Sequence, residues 1–143
     1  MATLTTRETI LVVEDDDVLR DLLKSVLEDE GYLVTTVASG DTALRALENG
    51  ALPSLILLDL MMPRFSGWEF LCVRAKSARL QAVPTIVMTA VDAAHRGEIA
   101  AEALVTKPFD LDHLLITIAA VLKACGDRRE RGRRHSGWSD QLP

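Results

Sequence analysis

Leu-Ile-Leu-Leu-Asp-Leu-Met-Met-Pro, residues 55–63, is the stretch of this chain that decides its fold. Four consecutive aliphatic residues, preceded by Pro53 and followed by a second proline, are typical of a strand buried on both faces, as in a parallel sheet. Asp59 ends this strand. Because open α/β sheets bind their ligands outside the carboxyl ends of the strands, Asp59 stands where a functional site is expected.

Three further apolar runs of the chain also end in polar residues. These residues are Glu14, Asp15 and Asp16 after the run beginning at Ile10, Thr89 after the run beginning at Thr85, and Lys107 after the run beginning at Leu104. The carboxyl ends of parallel strands meet at one edge of a sheet. The sequence therefore predicts a cluster of carboxylates, a hydroxyl and an ammonium, a set that suits a divalent cation and a phosphoryl group.

Strand patterns and amphipathic helix patterns alternate along the chain. Strands are predicted at 10–13, 32–37, 54–58, 85–88 and 103–106. Helices are predicted from Asp16 or Asp17 to Gly31, and at 41–49, 67–79, 92–101 and 111–125. Five alternating pairs imply a parallel sheet covered by helices on both faces, with right-handed crossovers.

Length and charge limit the kind of protein. A chain of 143 residues that is 48% hydrophobic and 26% charged is typical of one globular domain. The formal net charge is −5, but residues 126–143 hold five Arg and three acids, which leaves −7 on residues 1–125. An acidic body of this kind is not expected to bind nucleic acid by itself.

The two cysteines, Cys72 and Cys125, are far apart in the sequence. They predict neither a zinc site nor a disulfide framework, which is consistent with a reducing compartment. The first nine residues lack the apolar stretch of a signal peptide, and no apolar run is long enough to span a bilayer. We therefore expect a cytoplasmic protein that does not cross a membrane.

Four motifs carry a resemblance to a known family. They are Ile-Leu-Val-Val-Glu-Asp-Asp at 10–16, Leu-Leu-Asp-Leu-Met-Met-Pro at 57–63 with Gly67 behind it, Val-Met-Thr-Ala at 87–90 and Thr-Lys-Pro-Phe at 106–109. With this set the chain resembles the receiver domain of two-component response regulators over about residues 8–125. The resemblance implies an α/β flavodoxin-like, doubly wound (βα)5 fold with a parallel sheet of order 2-1-3-4-5.

The resemblance also implies a phosphoacceptor and a metal site. Asp59 would be the nucleophile that forms an aspartyl phosphate. Its attack on an anionic donor is repulsive without a cation, and Glu14 and Asp15 would hold Mg²⁺ together with Asp59. Asp15 would bind the ion directly and Glu14 through water. The backbone carbonyl of Met61 would complete the protein ligands.

Two further residues of the cluster would contact the phosphoryl group. Lys107 would pair with its oxygens as a point charge, and Thr89 would donate its hydroxyl. Asp16 and Asp17 are instead assigned to capping the first helix, without a direct metal role.

The implied partners are proteins. A histidine kinase or a phosphotransfer protein would supply the phosphoryl group, and changed binding to a downstream protein target would be the output. Such a domain assists its own phosphorylation and dephosphorylation and is not a turnover enzyme. A weak homodimer is compatible with the resemblance, whereas a membrane partner is not expected.

The chain departs from the family pattern at two places. Leu104 stands where an aromatic residue often changes rotamer on activation, and the stretch between Thr89 and Lys107 is about one helical turn short, so that the fourth helix is expected to be shortened. These departures favour one alternative function, a receiver-like adaptor that signals by binding alone, without phosphorylation.

A second alternative is a phosphatase of the haloacid-dehalogenase type, which also uses an aspartate at the end of a strand. That chemistry needs a second aspartate two residues after the nucleophile as general acid. The residue at that position is Met61, which cannot transfer a proton. The sequence therefore disfavours this reaction.

Residues 126–143 are predicted to form a basic tail without regular structure, because they are rich in Arg, Gly and Ser and lack apolar periodicity. Binding to DNA through such a tail would be weak, sensitive to salt and independent of sequence. We expect no direct DNA binding.

Overall fold

The computed structural model describes the backbone of residues 7–62, 65–90 and 99–140, with side chains up to residue 127. Five strands and five helices lie in the described ranges. The strands are β1 (Thr9–Val13), β2 (Leu33–Val37), β3 (Leu55–Asp59), β4 (Thr85–Thr89) and β5 (Ala103–Thr106). The helices are α1 (Asp17–Asp29), α2 (Gly40–Glu48), α3 (Gly67–Ala75), α4 (Ala78–Gln81) and α5 (Leu111–Asp140).

All five strands form one parallel sheet of order β2-β1-β3-β4-β5. The predicted flavodoxin-like doubly wound fold and its strand order are therefore confirmed. In the register, Val13 of β1 lies beside Leu58 of β3, and Asp59 lies beside Met88 of β4. The ends of these central strands consequently lie next to one another at one edge.

The sheet separates two apolar cores because successive side chains of a strand point to opposite faces. In β1, Leu11 and Val13 pack on the side of α2 and α3, whereas Ile10 and Val12 pack on the side of α1 and α5. All five positions of β3 are buried, the four aliphatic ones as their uninterrupted apolar sequence predicts. Burial on both faces holds the end of β3, and therefore Asp59, in a fixed position.

The first four helices begin at side chains that accept hydrogen bonds from otherwise unpaired backbone N–H groups. Asp16 caps α1, as predicted, by accepting from the amides of residues 18 and 19 at 3.0 and 3.1 Å. Ser39, Ser66 and Ser77 cap α2, α3 and α4. Helix α1 is followed by Gly31, whose φ of 97° lies in the left-handed region that favours glycine.

The third helix differs from its prediction. A single helix was expected at 67–79, but α3 ends at Ala75 and α4 begins at Ala78. The Ser77 side chain accepts a hydrogen bond from the Leu80 amide at 3.2 Å. This local cap competes with continuation of the helix through residue 77.

The fifth helix also differs from its prediction, because it does not end at Gly126 but continues to Asp140. The backbone of 126–140 is therefore helical where a tail without regular structure was expected. An interior glycine costs a helix about 1 kcal/mol, and this stretch holds three, Gly126, Gly132 and Gly137, together with five arginines, which are good helix formers. A shortened helix was also expected at 92–101. Most of that range lies within residues 91–98, which are outside the described residues.

Among the helices of the described residues, none is both long enough and apolar enough to cross a membrane.

Candidate functional site

Three carboxylates meet at the carboxyl edge of β1 and β3. Glu14 and Asp15 follow β1 directly, and Asp59 is the last residue of β3. One oxygen from each of the three side chains lies within 4.8 Å of the other two. The neighbouring positions of β1 and β3 in the sheet bring these residues together, as the sequence predicted.

Glu14 is held by four contacts although it is fully buried. Its amide donates to the Val37 carbonyl at 3.1 Å, and its Oε2 accepts from the Asp16 amide at 3.2 Å. Its Oε1 accepts from Lys107 Nζ at 2.8 Å. The fourth contact, at its carbonyl, comes from Arg20. A buried charge needs such partners, and Lys107 supplies the opposite charge.

Lys107 lies between two carboxylates. Its Nζ is 2.8 Å from Glu14 Oε1 and 3.4 Å from Asp59 Oδ1. Burial works against the charged ammonium, but the contacts with Glu14 and Asp59 outweigh it and raise the pKa of Lys107. Burial also raises the pKa of the Glu14 carboxyl; the bond from Lys107 opposes this rise, and nearby Asp59 adds to it.

Asp59 is only 2% exposed, and its carboxylate is oriented by the adjacent loop. The Met61 amide donates to Asp59 Oδ1 at 3.1 Å. The side chain of Met61 is 63% exposed, although Leu60 and Met62 on either side of it are buried. The predicted use of the Met61 carbonyl as a metal ligand stays a prediction.

Gly67 allows α3 to begin against the end of β3. A Cβ atom at this position would overlap the backbone carbonyl oxygen of Asp59 and would lie 2.6 Å from the Cα of Leu60. The Gly67 amide donates to the Leu60 carbonyl at 3.1 Å. The glycine behind the Asp59 motif is therefore needed for a close approach of two backbones.

Thr89 ends β4, is fully buried and pairs in register with Thr106 of β5. Its carbonyl accepts from the Lys107 amide at 2.8 Å. Thr89 and Lys107 are therefore tied together through their backbones at the same edge as the three carboxylates. The role of the Thr89 hydroxyl stays a prediction.

Arg20 of α1 was not among the site residues expected from the sequence. Its Nη1 donates to the carbonyls of Glu14 and Asp15 at 3.0 and 3.4 Å, and its Nη2 pairs with Asp17. Asp17 was assigned to capping, but Asp16 is the cap and Asp17 is the acid that holds Arg20. The position of Arg20, one turn into a helix that follows an acidic loop, was the available signal.

A second unpredicted charged group lies away from this edge. Arg74 of α3 is 7% exposed and forms an ion pair with Glu102, with Nη2 and Oε1 2.7 Å apart. Arg74 also donates to the carbonyls of Val83 and Ala100, and Glu102 accepts from the Thr85 amide at 2.7 Å. This group connects α3 to the starts of β4 and β5.

The carboxylate cluster fits a magnesium ion by its chemistry. Mg²⁺ prefers oxygen ligands and is usually bound by one or two carboxylates with several retained waters. With three ionised carboxylates and one ammonium, the cluster would carry a charge of −2, which a divalent cation would neutralise. The donor set is therefore suitable for this ion.

The fold and this edge define a class of protein: a doubly wound α/β domain with a cluster of three carboxylates, one of them a buried strand-end aspartate, beside a lysine. The family model described as "Response regulator receiver domain" matches residues 10–119. The chain therefore belongs to the receiver domain family of two-component response regulators, and the predicted family and function class are confirmed. Receiver domains are signalling proteins that interact with histidine kinases and downstream targets.

Two curated relatives illustrate the similarity. The sensory transduction protein RegX3 of Mycolicibacterium smegmatis is 36% identical over 87% of this chain and 54% of its own length. The phosphate regulon transcriptional regulatory protein PhoB of Klebsiella pneumoniae is 35% identical over 80% of this chain and 51% of its own length. The chain thus spans about half the length of the curated relatives it matches.

A solved structure has the same fold. The response regulator protein TrrA of Thermotoga maritima, in complex with Mg²⁺ and BeF, has a TM-score of 0.69 and 33% identity, covering 80% of this chain and 98% of TrrA. The presence of Mg²⁺ in that complex is consistent with the acidic cluster described above. These similarities do not favour the phosphorylation-independent adaptor.

The name of PhoB, a transcriptional regulator, conflicts with the expected absence of DNA binding. Since the match covers only about half of PhoB, the expected absence of DNA binding applies to the 143 residues of this chain alone.

Proposed function

We propose that Asp59 accepts a phosphoryl group from the phosphohistidine of a histidine kinase or a phosphotransfer protein. The observation that supports this most strongly is the convergence of Glu14, Asp15 and Asp59 within 4.8 Å, beside Lys107. A carboxylate oxygen of Asp59 would form the new bond to phosphorus. The bond from phosphorus to the donor nitrogen would break, and its electron pair would stay on the imidazole.

The buried position of Asp59 suits this role. Its carboxylate is already oriented by the Met61 amide and by Lys107, so little reorganisation is needed before the attack. Burial also limits water near the product, which favours a phosphoryl group that persists long enough to signal.

Mg²⁺ would be held by Glu14, Asp15 and Asp59, with the backbone carbonyl of Met61 as a further ligand. When bound, it would reduce the repulsion between the anionic donor and the carboxylates. The protein's own part is to keep the three carboxylates close together in spite of their mutual repulsion, which Lys107 partly offsets.

Lys107 would change partners during the reaction. Its ammonium now neutralises part of the charge on Glu14 and Asp59. Once a phosphoryl group is attached to Asp59, the same ammonium would lie beside the phosphoryl oxygens as a point charge. Thr89, at the neighbouring strand end, would donate its hydroxyl to the group.

We assign the receiver unit to residues 8–125, and we propose that its output is changed binding to another protein. Residues 8–125 carry a net charge of −8, so this unit is unsuited to contact DNA directly. Every residue assigned to the phosphorylation chemistry lies before α5, so a chain ending at Cys125 should accept a phosphoryl group as well as the 143-residue chain does. Equal, weak and salt-sensitive binding of both chains to unrelated DNA duplexes would agree with this proposal, whereas tight and sequence-selective binding would contradict it.

The direct test is phosphorylation by acetyl phosphate with Mg²⁺, followed by intact-mass measurement. We expect one phosphoryl adduct on the wild type and on Asp41→Asn, which changes an exposed acid of α2 away from the site. Asp59→Asn should lose the adduct. An unmodified wild type, or an Asp59→Asn variant that is modified as well as the wild type, would refute the proposal.

A further inference from the structure

Arg20 occupies an unusual position for a basic residue. It lies in the first turns of α1, where the partial positive charge of the helix N-terminus disfavours a cation. Its side chain is nevertheless only 18% exposed. A specific set of contacts must therefore offset this unfavourable placement.

Those contacts are to the backbone of the acidic loop. Nη1 of Arg20 donates to the carbonyl oxygens of Glu14 and Asp15, which both belong to the carboxylate cluster. The acid that pairs with its guanidinium is Asp17, whose side chain is 83% exposed and lies outside the cluster. Arg20 thus holds the main chain beneath two cluster residues while their carboxylates stay available to a cation.

The contact completes the restraint of Glu14. Its amide is fixed to β2 through Val37, and its two carboxylate oxygens contact Lys107 and Asp16. Its carbonyl is fixed by Arg20. Lys107 would be drawn away when a cation and a phosphoryl group arrive, whereas the carbonyl contacts of Arg20 involve no atom of the three carboxylates.

We propose that Arg20 is a positioning residue for the cation site: by binding the carbonyls of Glu14 and Asp15, it keeps their carboxylates at the separation that a divalent ion needs. This inference rests on the proposed function of the same site. Residues that orient metal ligands through hydrogen bonds typically change metal affinity by about 10- to 100-fold when they are replaced.

Positioning and simple electrostatics predict opposite results. Arg20 is a cation near a cation site, so its removal would by charge alone strengthen Mg²⁺ binding. If Arg20 positions the loop, Arg20→Ala should instead weaken Mg²⁺ binding by about 10-fold or more. Arg45→Ala is the matched control, because the exposed side chain of Arg45 pairs with Asp41 within α2 and not with the cluster.

The experiment is calorimetric titration of the 143-residue protein and its variants with MgCl₂. Arg45→Ala should bind Mg²⁺ like the wild type. Arg20→Lys, which keeps the charge but lacks the planar fork of a guanidinium, should bind with an affinity between those of the wild type and Arg20→Ala. The melting temperature in EDTA establishes that each variant is folded, and Arg20→Lys carries the test if Arg20→Ala does not fold.

A second measurement separates positioning from general damage. The initial rate of phosphorylation by acetyl phosphate should depend on a higher Mg²⁺ concentration in Arg20→Ala, yet approach the wild-type rate at saturating Mg²⁺. Wild-type affinity in both Arg20 variants would overturn the inference, and so would a rate that stays low at saturation. A wild type that binds no Mg²⁺ would instead refute the proposed function.

Discussion

The ion pair between Arg74 and Glu102 should contribute more to stability than the exposed ion pair between Arg45 and Asp41. Nη2 and Oε1 are 2.7 Å apart, and Arg74 is 7% exposed. At an effective dielectric constant of about 20, this separation corresponds to an attraction of about 6 kcal/mol before the cost of desolvation. Removal of one partner from a buried pair typically costs about 3–5 kcal/mol, because the other charge stays buried without compensation.

The two partners should not be equivalent. Glu102→Ala removes the acid from Arg74 and also removes the acceptor of the buried Thr85 amide. Arg74 would then stay buried with two carbonyl acceptors but without an opposite charge, so we expect a loss of about 4 kcal/mol in the free energy of unfolding. Arg74→Met leaves Glu102 with the Thr85 amide and with 27% exposure to water, so we expect a loss of about 2 kcal/mol.

Urea unfolding, followed by circular dichroism, measures both variants and their combination. The double variant should be about 2 kcal/mol more stable than the sum of the single losses predicts, since it leaves no unpaired charge. Asp41→Ala breaks an exposed pair and serves as the control, with an expected loss smaller than that of either single variant. Single losses below about 1 kcal/mol each, or strictly additive losses, would refute the reasoning.

Three further predictions concern the edge that carries the site. In EDTA, Lys107→Met should cost more stability at pH 7 than at pH 5. Glu14 would lose its counter-charge, so the pKa of its carboxyl in the folded protein would rise further above the ordinary value of 4.5. A raised carboxyl pKa lowers the free energy of unfolding as the pH rises from the ordinary pKa to the raised one. An equal cost at both pH values in urea titrations would contradict this. Gly67→Ala should cost about 2 kcal/mol in the same assay, because the added Cβ meets the backbone at Asp59; an unchanged unfolding midpoint would show that the backbones can separate. Mg²⁺ should raise the melting temperature of the wild type by mass action, and Asp15→Asn should lose this gain; if the variant responds like the wild type, Asp15 is not a ligand.

The alternation of strands and helices could be predicted because its signals are local. Apolar runs such as 55–58 and caps such as Asp16 act over a few residues, and both are present in the structure as expected. The polar residues after the strands predicted that Glu14, Asp15 and Asp59 meet at one edge, and the family resemblance carried by the same motifs implied the strand order. Strand bounds agree within one residue, whereas helix bounds agree less well.

The helix ends that were wrong depend on small energy differences. Ser77 and Gly126 are both compatible with a helix and with its end. At Ser77 the local cap ends α3 two residues earlier, and at Gly126 the helix continues. No local pattern in the sequence distinguishes these two outcomes.

The amino-acid sequence by itself determined the class of fold, the parallel sheet and the residues that gather at its carboxyl edge. The tertiary structure alone decided which charges pair: Lys107 with Glu14, Arg20 with the carbonyls of the acidic loop, and Arg74 with Glu102. The physical reason is range. Periodicity and capping are properties of neighbouring residues, whereas the partner of a buried charge is set by which strands and helices the completed sheet brings within about 3 Å of it.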